Sequence, residues 1–196
     1  MITDLRLFPA LNSKGETCVK VILTCDSVSY SASVPSGTSK GANEAKEFAF
    51  EKTKRIFPNL RKKIIGMQED SGKIDSLLIA TDRTNNFRSI GGNLALAISI
   101  ATARAQSHGN LWKLSGLKEN EQFPIPLGNV MGGGAHGGGT DWQEFLLIPY
   151  MAKSPLEAIE SLIHAWYAIG DELKKKSLLI GRNLESAWMA NIDEEE

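Results

Sequence analysis

A glycine-rich run with one histidine is the segment of this 196-residue chain best suited to chemistry. Six of the eight residues from Gly132 to Gly139 are glycine, which suits neither a packed helix nor a strand because glycine loses the most backbone freedom on folding. Apolar segments at 125–130 and 145–149 flank the run. It therefore reads as a loop between two buried strands. Either this loop carries function on a rigid scaffold, or it is a solvent loop that happens to be rich in glycine.

Three polar side chains in or near such loops are candidates for catalysis. His136 is the one histidine of the glycine-rich run, where it could titrate near neutrality and meet an anion. Glu144 follows Gln143 at the mouth of an apolar strand, and Glu185 lies between small and apolar residues. A carboxylate at a strand mouth suits proton transfer. The alternative for both glutamates is a solvated loop end.

Two further polar segments have competing interpretations. The loop 36–41 offers hydroxyls and backbone N–H groups that suit phosphate or hydrated Mg²⁺. It lacks the lysine spacing of a phosphate-binding Walker A loop, so an ordinary loop without ligand is the competing interpretation. The link 82–93 is better explained by structural turns and capping than by a ligand, and we expect Asn93 to bond to the first turn of the helix that follows.

The elements that must position these residues follow from hydrophobic periodicity. A hairpin is predicted from Thr17–Thr24 and Ser29–Val34, turning at Asp26-Ser27, after a short strand at Leu5–Phe8. Strands first and helices later indicate an α+β domain. A polar boundary at Lys118–Phe123 then divides the chain into domains 1–123 and 124–196. The predicted helices are Ala45–Phe57 stopped by Pro58, Glu69–Thr81, a buried helix at Gly92–His108, and Ser154–Lys176 with Ser154 as its cap.

Composition excludes several classes of function. The 22 basic and 23 acidic side chains give a net charge of −1, so nothing favours a nucleic acid or an anionic membrane surface as partner. No signal peptide is apparent, and the apolar helix Leu94–Ala105 is too short to span a bilayer. Cys18 and Cys25 fall in predicted strands, as expected of reduced structural thiols in a cytosolic protein.

Taken in order, these segments resemble the enolase family over almost the whole chain, from Ser13 to Ile192. The resemblance implies an enolase-type α+β N-terminal capping domain, followed by the first strands and helix of an incomplete (β/α)8-type barrel. The residues that carry it are Val34–Gly41 with Glu44-Ala45, Asp82–Asn86, Gly91–Ala95, Pro124–Val130, Gly133–His136, Gln143–Phe145, and Glu185 with Trp188 and Asn191.

The resemblance implies a cytoplasmic glycolytic lyase that dehydrates 2-phosphoglycerate to phosphoenolpyruvate with two Mg²⁺ ions. Ser39 would ligate the second Mg²⁺, and His136 would approach the phosphate. Gln143 would line the substrate and metal pocket. Glu144 and Glu185 would lie where hydroxide leaves and assist its protonation, in keeping with metal-stabilised enediolate chemistry.

Departures from the family pattern predict that the isolated chain is inactive. Residues 124–196 number 73 against about 250 for a full barrel, and the family's main metal ligands, base and phosphate-binding arginine lie further on. Lys40 brings a cation into the metal loop, Gly132 replaces an asparagine, and Leu184 replaces an aspartate. A non-catalytic enolase-related binding or assembly subunit, or an unrelated phosphate-binding module, remains an alternative.

The few barrel strands would also expose apolar edges, which pair readily with other chains. We therefore expect either a homo-oligomer or a partner chain that supplies the missing barrel.

Overall fold

A computed structural model describes residues 1–35, 37, 41–116, 123–134, 137 and 139–192. The chain divides into two compact units, Met1–Glu119 and Asn120–Glu196, each of which has its own sheet. Among the described residues, no helix combines the length and apolar character needed to cross a bilayer.

The first unit begins with an antiparallel meander of β1 (Ile2–Leu11), β2 (Thr17–Cys25) and β3 (Val28–Ser33). Cys25 pairs with Val28, which leaves Asp26 and Ser27 as a two-residue turn. Both turn residues have positive φ, 47° and 64°, as the twist of a tight hairpin requires. The predicted hairpin is confirmed. β1 is longer than predicted because it pairs with β2 as far as Leu11.

Three helices follow this sheet: α1 (Phe50–Ile64), α2 (Ser71–Asp82) and α3 (Gly92–Gln106). α1 and α3 pack against its strands, and α2 packs against α3. Alternate residues of β2 point into the core, where Val19, Val21 and Leu23 are buried. α3 packs on β2, β3 and α2, and buries Leu94 and Ile98 completely. The prediction of a buried third helix is confirmed. Cys18 and Cys25 lie in β2 as predicted, and both are buried and unbridged.

The first helix corrects the predicted span Ala45–Phe57. α1 begins at Phe50 and continues through Pro58 to Ile64. Phe57, Leu60 and Ile64 are all buried, so the apolar face continues on both sides of the proline. Burying each such side chain stabilises the fold by about 1.5–3 kcal/mol, which together outweighs a proline cost of about 3 kcal/mol.

Residues 45–49 do not join α1 because other partners hold them. The Asn93 Oδ1 accepts the Phe48 N–H at 3.1 Å, and its Nδ2 donates to the Phe48 carbonyl at 2.8 Å. The Lys46 N–H donates to the Asn86 carbonyl at 2.8 Å. Asn93 therefore binds a distant segment, and the expectation that it bonds to the first turn of its own helix was wrong.

Asp82 organises the polar link that precedes α3. Its side chain is only 3% exposed, and its carboxylate accepts the N–H groups of Thr84, Ser89 and Ile90 as well as the Thr84 hydroxyl. Burial by itself raises the pKa of Asp82, but these hydrogen bonds outweigh burial and leave the pKa below its ordinary value. The geometry agrees with the structural interpretation of this link.

The second unit contains a mixed sheet in the order β5-β4-β7-β6 and one long helix. β4 is antiparallel to β5 and parallel to β7, and β6 and β7 form an antiparallel hairpin. These four strands do not form a barrel by themselves. The elements are β4 (Gly128–Gly132), β5 (Glu144–Leu147), α4 (Pro155–Lys175), β6 (Leu179–Arg182) and β7 (Trp188–Ala190).

α4 begins at a capping serine and packs against β7 through an indole stack. The Ser154 Oγ accepts the Glu157 N–H at 3.1 Å, which confirms the predicted cap. Further along, the Trp188 indole stacks on Trp166 with ring centroids 4.2 Å apart, and its Nε1 donates to the Trp166 carbonyl at 2.7 Å. A Cβ on Gly170 would lie 2.5 Å from the Trp188 ring. The helix therefore approaches β7 this closely because Gly170 has no side chain.

We predict that Asp82→Ala lowers the free energy of unfolding by about 2–3 kcal/mol, because buried N–H groups lose their acceptor. Asp82 has a lowered native pKa, so its contribution is full above the unfolded-state pKa of about 3.9 and is lost as pH falls through the native pKa. Urea unfolding at several pH values should show that Asp82→Asn flattens the stability loss below about pH 4. The exposed Glu51→Gln is the control, and an equally flat profile for both variants would contradict the prediction.

We also predict that Gly170→Ala destabilises the second unit, although helix propensity alone favours alanine by about 1 kcal/mol. The added methyl would overlap the Trp188 ring, and such overpacking costs about 1–3 kcal/mol. Thermal unfolding followed by tryptophan fluorescence is the measurement. Gly181→Ala, whose Cβ would meet Met189 at an ordinary 3.6 Å, is the matched control. A higher midpoint for Gly170→Ala would show that the indole simply moves aside.

Candidate functional site

The structure describes three of the five predicted site residues. Ser39 and His136 lie outside the described residues. Gln143, Glu144 and Glu185 all belong to the second unit, where β4 lies between the strands that lead to them. The site is therefore built outward from β4.

The glycine run allows two stretches of backbone to meet at the end of β4. The Gly133 N–H donates to the Gln143 carbonyl at 3.1 Å, and the Gly134 N–H donates to the Thr140 carbonyl at 2.9 Å. A Cβ on Gly133 would overlap the Thr140 carbonyl and lie 2.8 Å from that of Trp142. The described part of the run is therefore closely approached by neighbouring backbone.

Gln143 and Glu144 lie where this hairpin closes. Glu144 is the first residue of β5 and pairs with Gly132, the last residue of β4. The backbone of Gln143 is fixed by its bond from Gly133, while both side chains are exposed in this unit. Glu144 is therefore held at a defined register, and its side chain is exposed.

Glu185 lies in the turn between β6 and β7 and is held at both ends. Its N–H donates to the Asn183 Oδ1 at 2.9 Å, and its Oε2 accepts from the Asn129 Nδ2 at 3.2 Å. The second contact joins the turn to β4, 56 residues away in sequence. The carboxylate thus has a preferred direction although its side chain is exposed.

The two glutamates are attached to β4 at different positions along the strand. Glu144 pairs with Gly132, and Glu185 bonds to Asn129, three residues earlier on β4. Three residues of extended strand span about 10 Å. β5 and β7 also flank opposite sides of β4, so Glu144 and Glu185 border one strand from two sides.

A cavity of about 480 Å³ opens beside Glu185. Asn129, Arg182 and Glu185 supply its polar wall, and Trp166 with Tyr167 supplies an aromatic one. The Arg182 guanidinium lies 5.8 Å from the Trp166 ring centroid and 5.9 Å from that of Trp188, so the stacked indoles already engage this cation. The cavity combines an acid, an amide and a cation with an aromatic wall.

One group of possible metal ligands is found among the described residues, and it lies in the first unit. Cys25, Asp26 and Glu69 place ligand atoms within 4.8 Å of one another. The amino group of Met1 is 2.8 Å from the Glu69 carboxylate and 3.7 Å from Asp26. This hydrogen bond lowers the pKa of Glu69 and raises that of the amino group. The protonated amino group of Met1 therefore already supplies a positive charge to this cluster.

Comparison with known proteins connects this architecture to one family. The family model "Enolase, N-terminal domain" matches residues 2–115, which is more than half of the chain. This chain belongs to the enolase family. Its relatives include the enolase of Methanosphaera stadtmanae, 37% identical over 209 residues, which aligns with 100% of this chain and 50% of that enolase. The enolases of Archaeoglobus fulgidus and Haloarcula marismortui are 33% and 34% identical, again across 100% of this chain.

The enolase match locates the chain within its longer relatives. It spans about half the length of the curated enolases that it matches, 50% of the first two and 51% of the third. The α+β architecture and the antiparallel meander of the first unit agree with the enolase N-terminal domain. The mixed sheet of the second unit follows it.

The described residues do not by themselves suit the Mg²⁺ that enolases use. Mg²⁺ takes oxygen ligands at about 2.0–2.1 Å in near-octahedral order. In the described part of the second unit, no three acidic, histidine or cysteine side chains cluster. A complete cage would need ligands in addition to these residues.

Sequence reasoning missed the amides that hold Glu185. Asn183 and Asn129 carry no catalytic pattern and lie 54 positions apart in the sequence. The one available signal is that each lies within a few residues of a predicted site motif. Tertiary structure was needed to bring them to the same glutamate.

We predict that Gly133→Ala disrupts the hairpin between β4 and β5, because a methyl group would overlap the backbone carbonyls of Thr140 and Trp142. Hydrogen exchange at the Gly133 and Gly134 amides should accelerate at least tenfold. The methyl group of the Thr140 side chain would also overlap a Cβ at position 133, and Thr140→Ser removes that methyl. The double variant Gly133→Ala with Thr140→Ser therefore separates overlap with the side chain from overlap with the backbone. Recovery of slow exchange in the double variant would mean that the side chain alone excludes alanine.

Proposed function

We propose that this chain is the N-terminal half of a Mg²⁺-dependent enolase that converts 2-phosphoglycerate to phosphoenolpyruvate in cytoplasmic glycolysis. The observation that carries this proposal is that the whole chain aligns with about half of each of these enolases. The aligned chain includes Glu185, whose carboxylate is oriented by Asn129. The proposal assigns the remaining barrel to another polypeptide segment. By itself the chain is then expected to be inactive.

In this proposal the glutamates handle the departing hydroxyl group. Glu185, whose carboxylate Asn129 directs, and Glu144, at the start of β5, would protonate the leaving oxygen from the side of β4. Gln143 would line the substrate pocket, His136 would meet the phosphate, and Ser39 would be a metal ligand. Mg²⁺, held with further ligands from the remaining barrel, would supply charge stabilisation.

The second unit has surfaces that a barrel-completing partner would cover. β5 and β6 are the outer strands of its sheet, so each has one edge without a strand neighbour among the described residues. On α4, Leu156, Ile159, Ile163 and Tyr167 recur at helical spacing and are 44–65% exposed. Open edges and an apolar helical stripe favour association with another chain. We propose the missing barrel segment as the partner, with homo-oligomerisation as the alternative.

A second candidate is a non-catalytic enolase-related binding or assembly subunit. Leu184 favours it, because this apolar side chain is 72% exposed in the turn beside Glu185, where the family pattern has an aspartate. Lys40 also favours this candidate, because it brings a cation into the loop that is expected to hold the metal. This candidate predicts assembly with a barrel segment but no turnover.

Complementation separates the two candidates. The chain would be mixed with the half of the Methanosphaera stadtmanae enolase that it does not align with, in the presence of Mg²⁺ and 2-phosphoglycerate. We predict that neither half alone forms phosphoenolpyruvate, that the mixture does, and that sedimentation shows a complex. A complex without turnover would favour the non-catalytic candidate, and absence of a complex would favour self-association of this chain.

Within an active mixture, Glu144→Gln and Glu185→Gln should each lower kcat by about 10²-fold or more, because general acid catalysis contributes on this scale. Glu160→Gln, an exposed glutamate on α4, is the matched control and should leave kcat within twofold. Equal kcat for all three variants would remove the assigned roles while leaving the assembly intact.

A further inference from the structure

Asn183 closes the turn that carries Glu185. Its side chain is only 9% exposed, and its Oδ1 accepts the N–H groups of Glu185 at 2.9 Å and of Ala187 at 3.0 Å. Its backbone N–H donates to the Ala187 carbonyl at 3.0 Å, and its own carbonyl accepts the Ser186 N–H at 3.0 Å. Four hydrogen bonds of residues 183–187 therefore involve this one asparagine.

The other end of the Asn183 amide faces β4. Among the described residues, no acceptor lies within hydrogen-bond distance of its buried Nδ2. A Cβ on Gly132 would lie 2.6 Å from this nitrogen and 3.5 Å from the Ala187 Cβ. The amide therefore occupies the volume that any side chain at position 132 would need, so the end of β4 and the turn are sterically coupled.

The same turn is fixed a second time through the carboxylate of Glu185. The Asn129 Nδ2 donates to the Glu185 Oε2 at 3.2 Å, and Asn129 lies on the same strand as Gly132. Asn183 thus sets the backbone of Glu185, while Asn129 sets the direction of its side chain. Both restraints depend on β4, the central strand shared by the glycine run and β5.

We propose that Asn183 is the positioning residue for Glu185, and that Gly132 lacks a side chain so that the Asn183 amide can enter. The proposal rests on the proposed function only for what Glu185 does in catalysis. Without the acceptor at Asn183, the turn would have more accessible conformations, and small displacements of a catalytic group can cost large factors in rate.

The first test measures geometry rather than activity, on the isolated chain by nuclear magnetic resonance. In Asn183→Ala the Glu185 and Ala187 amides should exchange with solvent about five- to tenfold faster, as expected for loss of one hydrogen bond each. Asn183→Asp keeps a side-chain acceptor and should retain exchange within about twofold of the parent chain. Leu184→Ala, altered in the same turn at a 72% exposed side chain, is the control.

A second variant protects the test against misfolding of Asn183→Ala. Gly132→Ala leaves Asn183 intact but should displace its amide, so it should give the same faster exchange at Glu185 and Ala187. The near-ultraviolet circular dichroism of the Trp166–Trp188 stack reports whether the unit remains folded. Unchanged exchange in both Asn183→Ala and Gly132→Ala, with the stack intact, would overturn the inference.

In the complemented enzyme, Asn183→Ala should lower kcat about tenfold with KM changed by less than twofold, and Asn183→Asp should recover most of that loss. Equal losses for the alanine and aspartate variants would overturn the positioning role. If the parent mixture shows no turnover, the proposed function fails, and the exchange measurements alone still decide whether Asn183 holds Glu185.

Discussion

Absence of a side chain at the end of β4 is the constraint on which the second unit depends. At Gly132 the space of a Cβ is taken by the Asn183 amide, and at Gly133 it is taken by the carbonyls of Thr140 and Trp142. One neighbour leads to Glu185 and the other to Glu144. Because these glycines have no side chain, two neighbouring segments can approach β4 closely. That approach positions Glu144 and Glu185 relative to the same strand.

The same logic fixes the helix beside this sheet. Gly170 lets the Trp188 indole lie against α4, and the indole N–H reaches a helix carbonyl at 2.7 Å. The stacked Trp166 and the Ser186 carbonyl that accepts from its Nε1 at 3.1 Å complete the contact. α4, β7 and the turn that carries Glu185 consequently share one packed cluster.

In the first unit, the buried carboxylate of Asp82 organises an irregular segment of the chain. A long polar link between α2 and α3 must satisfy its backbone groups without regular structure. Asp82 does so by accepting three backbone N–H groups in succession, and Asn93 ties the segment before α1 to the start of α3. Both residues lie in the link for which the sequence favours a structural role, and their hydrogen-bonding capacity is largely used in holding the fold.

The sequence by itself determined the elements whose signals are local. Alternation of apolar residues determines β2 and β3, Ser154 determines the start of α4, and the ordered motifs indicate the enolase family. Tertiary structure decided the rest, because the deciding interactions join distant residues. Pro58 remains inside a helix because Leu60 and Ile64 are buried beyond it, and Glu185 is held by Asn129 from 56 residues away. The helical spacing of Phe57, Leu60 and Ile64 is visible in sequence, but only burial decides that it outweighs the proline. The contact of Asn129 with Glu185 leaves no local trace in sequence, because it depends on which surfaces meet after folding.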